Sequence, residues 1–352
     1  MSLAFQSPLD EALLGFFMEE QNKEQNKEQK KGVLNNIKKG ISHALRALFE
    51  IYDKKYRLLL IIPFLMLFLA LAQIGYQAHA TGDFIKRDVS LKGGVTVTVP
   101  FDKDVNIDKD VNIKQIESQL SDQFPGHDIA VRSLRSAGVT VGIIAGADID
   151  GSDKAQVQRL LNAIEGSLGV DLGKIDYGIE VIGSGLGASF FKESLIALAV
   201  AFLFMGLVVL IYFRTFVPSI AIILAAFSDM AIALAVMNLM DIRIGTAGIA
   251  AFLMLIGYSV DTDILLSVRV LKRKEGTVMD RIISSIKTGM TMTVTAIIST
   301  IVALAVTQSE VIRQIMLILL IGLIADIFNT WIQNVGLLRI YLERKAKKGN
   351  AI

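Results

Sequence analysis

IGTAGIAAFLMLIGYSVDTDILLSVRVLKR, residues 244–273, has the length and apolarity of a membrane-spanning helix, yet carries Gly257, Asp261 and Asp263 well inside it. A bilayer core takes about 20 apolar residues of helix to cross. A carboxylate placed at the centre of such a helix costs about 2.5–3.5 kcal/mol on insertion scales. A chain carries that cost for a packing partner or for function. Gly257, four residues before Asp261, removes a side chain from the same face and is expected to let a partner backbone approach. Gly289 and Gly322 are read with it as helix-packing positions.

Working outward, the 352 residues are 53% hydrophobic with mean hydropathy +0.53, too apolar for an ordinary soluble chain. The apolar residues come in blocks of spanning length, at 57–75, 194–213, 216–239, 244–268, 285–306 and 311–338. Pro63 lies in the first block, where neighbouring groups must satisfy the carbonyl it frees. Lys54, Lys55 and Arg57 precede the first block, Arg214 sits between the second and third, and Arg269, Lys272, Arg273, Lys274 and Arg281 follow the fourth. Arg339, Arg344, Lys345, Lys347 and Lys348 follow the sixth. Six spans with one large loop after the first put all these clusters on one side. The positive-inside rule makes that side cytoplasmic, with both termini there, in a multi-pass protein of the cell membrane. No basic segment followed by an apolar core and cleavage site opens the chain, so no signal peptide is expected.

The expected organisation is a cytoplasmic tail with an interfacial helix (1–56), the first span (57–75), an extracytoplasmic domain (76–193), a five-helix membrane region (194–339) and a basic cytoplasmic tail (340–352). In the tail, QNKEQNKEQKK at 21–31 repeats a charged tetrad and buries too little to fold alone. Leu45, Leu48, Phe49 and Tyr52 recur at helical spacing, as in a helix lying in the interface. The chain has no cysteine and three scattered histidines, which leaves no Cys- or His-based metal site. No cofactor and no nucleic-acid partner are expected.

The hydrophilic segment reads β-α-β-β-α-β: strand 94–101, helix 112–124, strands 127–134 and 138–146, helix 153–169, strand 176–183. That order is the ferredoxin-like split motif. Asn112 with Gln115, and Asp153 with Gln156, read as helix caps in which the third helical residue reaches back. The domain carries 17 acidic against 12 basic residues, which suits the outer face. DKDVNIDKDVNI at 102–113 is rich in oxygen ligands, but Ile107 and Ile113 stand where a calcium loop needs Gly and Glu. Gly93-Gly94 and GSGLG at 183–187 lack the strand-then-helix setting of a phosphate loop and read as turns beside the membrane. The fold class is thus an α-helical membrane protein with six transmembrane helices. One extracytoplasmic α+β domain lies between helices 1 and 2.

Asp229 lies mid-way along the third span, Asp261 and Asp263 in the fourth, and Asp326 in the sixth, followed by Asn329, Gln333 and Asn334. Carboxylates facing a bundle interior suit a proton or cation relay. The competing reading is hydrogen-bonded contact between helices, worth about 0.6 kcal/mol each. Ser284, Ser285, Thr288, Thr291, Thr293, Thr295, Ser299 and Thr300 stud the fifth span and fit that second reading.

SLKGGVTVTV at 90–99, EVIGSGLGASFFKESL at 180–195, FRTFVPSIAIILAAFSDM at 213–230 and GYSVDTDILLSVRVLKR at 257–273 together resemble the SecD/SecF family of protein-export membrane proteins, in the archaeal SecF form. The likeness runs from residue 57 to 345. It implies a six-span subunit, without enzymatic activity, that pairs with SecD beside the SecYE channel. It also implies an outer domain that helps emerging unfolded polypeptides across, with membrane lipids as the remaining partner. In bacterial members that work is linked to proton entry. Their fourth-span signature has Asn-Asp where this chain has Asp261-Thr262, and their fifth span has an Arg where this chain has Thr291. The membrane core also resembles resistance-nodulation-division transporters. That leaves two alternatives: a small-molecule or lipid exporter of that type, or a scaffold for SecD and the channel without ion coupling.

Overall fold

The computed structural model describes residues 52–101, 112–136, 139–273, 275–307 and 309–349. The tetrad repeat, most of the expected interfacial helix and the acidic repeat from 102 to 111 lie outside the described residues. Residues 52–59 belong to a separate unit, with a helical turn at Tyr56–Leu59. The second unit begins at Leu60.

Among the described residues, six helices are long and apolar enough to cross a membrane. Helix α1 (Ile61–Thr81) contains Pro63 in its first turn, where a missing N–H leaves no helical bond unmade. The outer domain follows as β1 (Gly94–Pro100), α2 (Ile113–Gln123), β2 (Ile129–Ser136), β3 (Val139–Ala147), α3 (Lys154–Leu168) and β4 (Gly178–Ile182). Its sheet is antiparallel throughout, in the order β2-β3-β1-β4. Val97 lies opposite both Ala145 and Ile179. Alternate residues Val95, Val97 and Val99 turn inward against Leu120, Leu160 and Ile164 of the two helices. That is the period-2 and period-3.6 agreement a two-layer α/β core requires.

The caps are simpler than expected. Asn112 accepts from Gln115 N and Asp153 from Ala155 N and Gln156 N. The Asp153 N–H, however, donates to Asp150 O at 3.1 Å, so Gln156 does not reach back to it. GSGLG is not a turn either. Gly183 is the N-cap of α4 (Ser184–Phe213), and residues 184–187 are its first turn. A Cβ on Gly187 would strike Gly93 backbone, and one on Gly93 would strike Ser184 backbone. Bare backbone at both positions lets the span begin directly beneath the sheet.

The bundle continues with α5 (Phe216–Leu239), α6 (Thr246–Lys272), α7 (Val278–Val306) and α8 (Glu310–Phe328). After α8 come a π-helical stretch at Asn329–Asn334 and α9 (Val335–Gly349). Helices α5, α6 and α8 form the interior, while α4 and α7 are largely exposed.

The outer domain is locked to the bundle through the α5–α6 turn. Ile244 N donates to Lys86 O (2.7 Å) and Asp88 N to Ile244 O (3.0 Å), a short parallel bridge. Arg243 donates to Ile129 O (2.7 Å) and pairs with Asp128 (2.8 Å), which also holds Lys92 (2.7 Å). Gln314 of α8 donates to Arg243 O (2.6 Å) and accepts from Gly245 N (3.1 Å).

Candidate intramembrane site

Three carboxyl groups meet inside the bundle: Asp229 and Asp263 are fully buried and Asp326 is 1% exposed. Small residues bring the helices together. On α5, Ala221, Ala225, Ala226 and Ala233 are buried around Asp229, and on α8 Gly322 and Ala325 precede or adjoin Asp326. Small side chains at helix contacts are what close approach in a bilayer requires. On α6 the buried face runs Ile256, Ser259, Val260, Asp263, Leu266, Ser267, Val270, the spacing of one helical stripe.

Each carboxyl has a named donor. Ser259 Oγ donates to Asp229 Oδ2 (2.5 Å) and Asn329 Nδ2 to Asp229 Oδ1 (2.7 Å). Asn334 Nδ2 donates to Asp263 Oδ1 (2.7 Å), and Thr330 Oγ1 to Asp326 Oδ1 (2.8 Å). Two of these four donors are amides of the π-helical stretch, a third is its threonine, and the fourth, Ser259, lies on α6. A π-bulge widens the helix by a residue and commonly marks a functional site. Here it turns Asn329, Thr330, Gln333 and Asn334 inward together, all fully buried.

The donors are all neutral. Among the described residues no Lys or Arg pairs with these three aspartates, which lie within electrostatic reach of one another. Several buried side-chain polar atoms have no hydrogen-bond partner among the described residues: Asp263 Oδ2, Asp326 Oδ2, Asn329 Oδ1, Asn334 Oδ1 and both polar atoms of the Gln333 amide. Three negative charges so deeply buried, with no Lys or Arg of the described residues beside them, would be very costly. The arrangement is chemically suited to exchanging a proton or taking up a small cation. No group of three or more His, Cys, Asp or Glu side chains with metal-holding geometry occurs among the described residues.

The structure separates Asp261 from Asp263. Asp261 is exposed on the outside of the bundle, not in its interior as the sequence reading had it. Two residues are about 200° apart on a helix, so only one of the pair can face inward. Gly257 shares that exposed strip, and nothing lies within 4 Å of where its Cβ would be, so no backbone among the described residues approaches there. Gly289 and Gly322 do lie at close contacts: a Cβ would strike the Trp331 ring at the first and Leu255 at the second. Thr291, Thr295 and Ser299 are exposed and donate to carbonyls of their own helix four residues back, rather than bridging helices.

Ser259 and Thr330 carry one sequence signal only: each stands four residues from a cluster aspartate. Arg243 and Gln314, which carry the joint to the outer domain, had no local signature.

A family model described as protein export membrane protein SecD/SecF, C-terminal, matches residues 169–344. The protein-export membrane protein SecF of Methanothermobacter thermautotrophicus is 38% identical over 295 residues, covering 82% of this chain and 94% of the relative. That of Pyrococcus furiosus is 35% identical over 311 residues, covering 88% and 97%. The crystal structure of SecDF, a translocon-associated membrane protein from Thermus thermophilus, superposes with a TM-score of 0.59 at 18% identity. It covers 82% of this chain, and this chain spans 38% of that one; the likeness is of fold.

Proposed function

This chain belongs to the SecF family of protein-export membrane proteins, and we propose that it serves as an auxiliary subunit of the Sec machinery, with an ion relay at Asp229, Asp263 and Asp326. In this reading the outer domain handles emerging unfolded polypeptide beside the SecYE channel. Both termini and the basic turns face the cytoplasm. Protonation or cation uptake at the relay shifts the packing of α5, α6 and α8. The joint at Arg243 and Gln314 passes that shift to the outer domain. The observation that carries the proposal is the set of three carboxyls, buried on three packed helices with neutral donors only.

Asp261 has a different role in the same reading. With Leu253, Met254 and Gly257 it forms the exposed strip of α6. An acid left against lipid would be costly, so a partner helix is expected to cover it. We assign that strip to SecD.

The test replaces the three buried aspartates by Asn, singly and together, and Asp261 by Asn in a separate chain. Secretion of a reporter is followed over a range of external pH, and SecD is sought in the purified complex. The triple variant is expected to lose the pH-dependent part of secretion while still holding SecD. Asp261→Asn is expected to weaken SecD recovery. A triple variant that secretes like wild type at every pH would reduce the chain to a scaffold.

A further inference from the structure

At the end of the bundle away from the outer domain, the α6–α7 turn borders an open cavity of 170 Å³ lined by Arg269, Arg273, Glu275, Asp280, Arg281 and Ser284. Two of the three guanidinium groups are fixed by the protein. Arg269 Nη1 donates to Ser284 O (2.7 Å), Ser284 Oγ (3.1 Å) and Thr288 Oγ1 (2.9 Å). Arg281 Nη1 donates to Val270 O (2.9 Å) and to Arg273 O, and its Nε to Thr277 O (3.4 Å). The Nη2 of each has no hydrogen-bond partner among the described residues, and neither does the exposed side chain of Arg273. A guanidinium offers five N–H donors in a planar fork, the shape that matches a phosphate.

The two carboxylates do not cancel this. Asp280 Oδ2 already accepts from Thr277 N (2.9 Å) and Thr277 Oγ1 (2.7 Å), closing the capping box of α7. Glu275 is exposed and can turn to water. What remains is a pre-positioned set of cationic donors around a small cavity.

One turn along α7 from Thr288, an open groove of 690 Å³ begins, its walls including Tyr258, Met292, Ala296, Ala303, Met316 and Leu319. Four of the hydroxyls along it, on Thr291, Thr295, Ser299 and Thr300, are spent on carbonyls of their own helix (2.8, 2.7, 2.9 and 2.7 Å). Apart from the Tyr258 hydroxyl, the groove therefore accepts hydrocarbon without leaving a side-chain donor unpaired. It flanks the strip of α6 that carries Asp261.

We propose that this is a lipid site: the arginine cavity seats the phosphate of an anionic membrane phospholipid, and the groove along α7, walled by α8 and by Tyr258 of α6, holds one of its chains. A bound lipid would pin the α6–α7 turn and so the register of the helix that carries Asp263. The site stands independently of the relay.

The full-length chain is reconstituted in nanodiscs of phosphatidylcholine containing phosphatidylglycerol, and lipid retained after detergent extraction is counted by native mass spectrometry. Wild type is expected to retain one phosphatidylglycerol per chain in preference to phosphatidylcholine. Arg273→Gln, whose side chain holds nothing else, should weaken retention roughly tenfold or more, the usual worth of a charge-assisted contact. Ala296→Trp, which blocks the groove, should do the same. Lys347→Gln, an exposed cation elsewhere on the same side, should change nothing, and inorganic phosphate should not displace the lipid. Retention untouched by Arg273→Gln and Ala296→Trp would overturn the proposal, as would an equal loss in Lys347→Gln. Displacement by inorganic phosphate would overturn it too, by making the cavity a site for a soluble anion.

Discussion

Replacing Arg243 by Ala tests whether the outer domain and the bundle move as one. The guanidinium is 17% exposed and makes two contacts across the joint, to Ile129 O at 2.7 Å and to Asp128 at 2.8 Å. Charge-assisted contacts of this kind contribute about 1.5–3 kcal/mol each when well buried. Asp128 is 36% exposed and keeps Lys92 in the variant, so solvent and the second cation discount the ion pair heavily. The net loss is about 2 kcal/mol, which raises the open fraction of the joint about thirtyfold. Hydrogen exchange reads this directly. The amides of Asp88 and Ile244 bridge the joint, and their protection should fall by that factor. Amides in the β1–β3 ladder, such as Val97 opposite Ala145, should keep theirs. Secretion should slow although the folded protein persists. If protection at Asp88 and Ile244 is unchanged, or falls equally through β1 and β3, Arg243 does not act as a joint.

Further outcomes follow from the bundle. Gly289→Val and Gly322→Val drive a side chain into Trp331 and Leu255 and should cost about 1–3 kcal/mol each, whereas Gly257→Ala should be close to neutral, as read by unfolding in mixed micelles. Asn334→Ala removes the amide from Asp263, and because buried carboxyls depend on such donors the loss should exceed the ~0.6 kcal/mol of an average interhelical contact. A double-mutant cycle between Asn329→Ala and Asp229→Ala should show coupling of about 1 kcal/mol or more; independent effects would mean the 2.7 Å contact contributes nothing. Thr291→Val should leave both stability and secretion unchanged, because that hydroxyl serves only its own helix.

Much of the architecture can be read from the chain alone. Bilayer thickness sets the length of each apolar block, and basic residues gather at one set of ends, so six spans and one outer loop are legible before any coordinates. In the outer domain the alternation of Val95, Val97 and Val99 names the buried face, because water on one side and core on the other impose opposite residue types. Element ends were less legible: α4 begins at Ser184, beneath the sheet, although the apolar run begins some ten residues later.

Inside the membrane that contrast disappears. Lipid chains are as apolar as a protein interior, so periodicity cannot tell which side of α6 faces in. Asp261 and Asp263 look alike in sequence, and only packing against α5, α8 and the π-helical stretch selects Asp263 for the interior and leaves Asp261 outside. The presence of acidic side chains in the spans was a property of the sequence. Their sorting into a shared buried cluster and a separate exposed strip was decided by how the helices are rotated against one another.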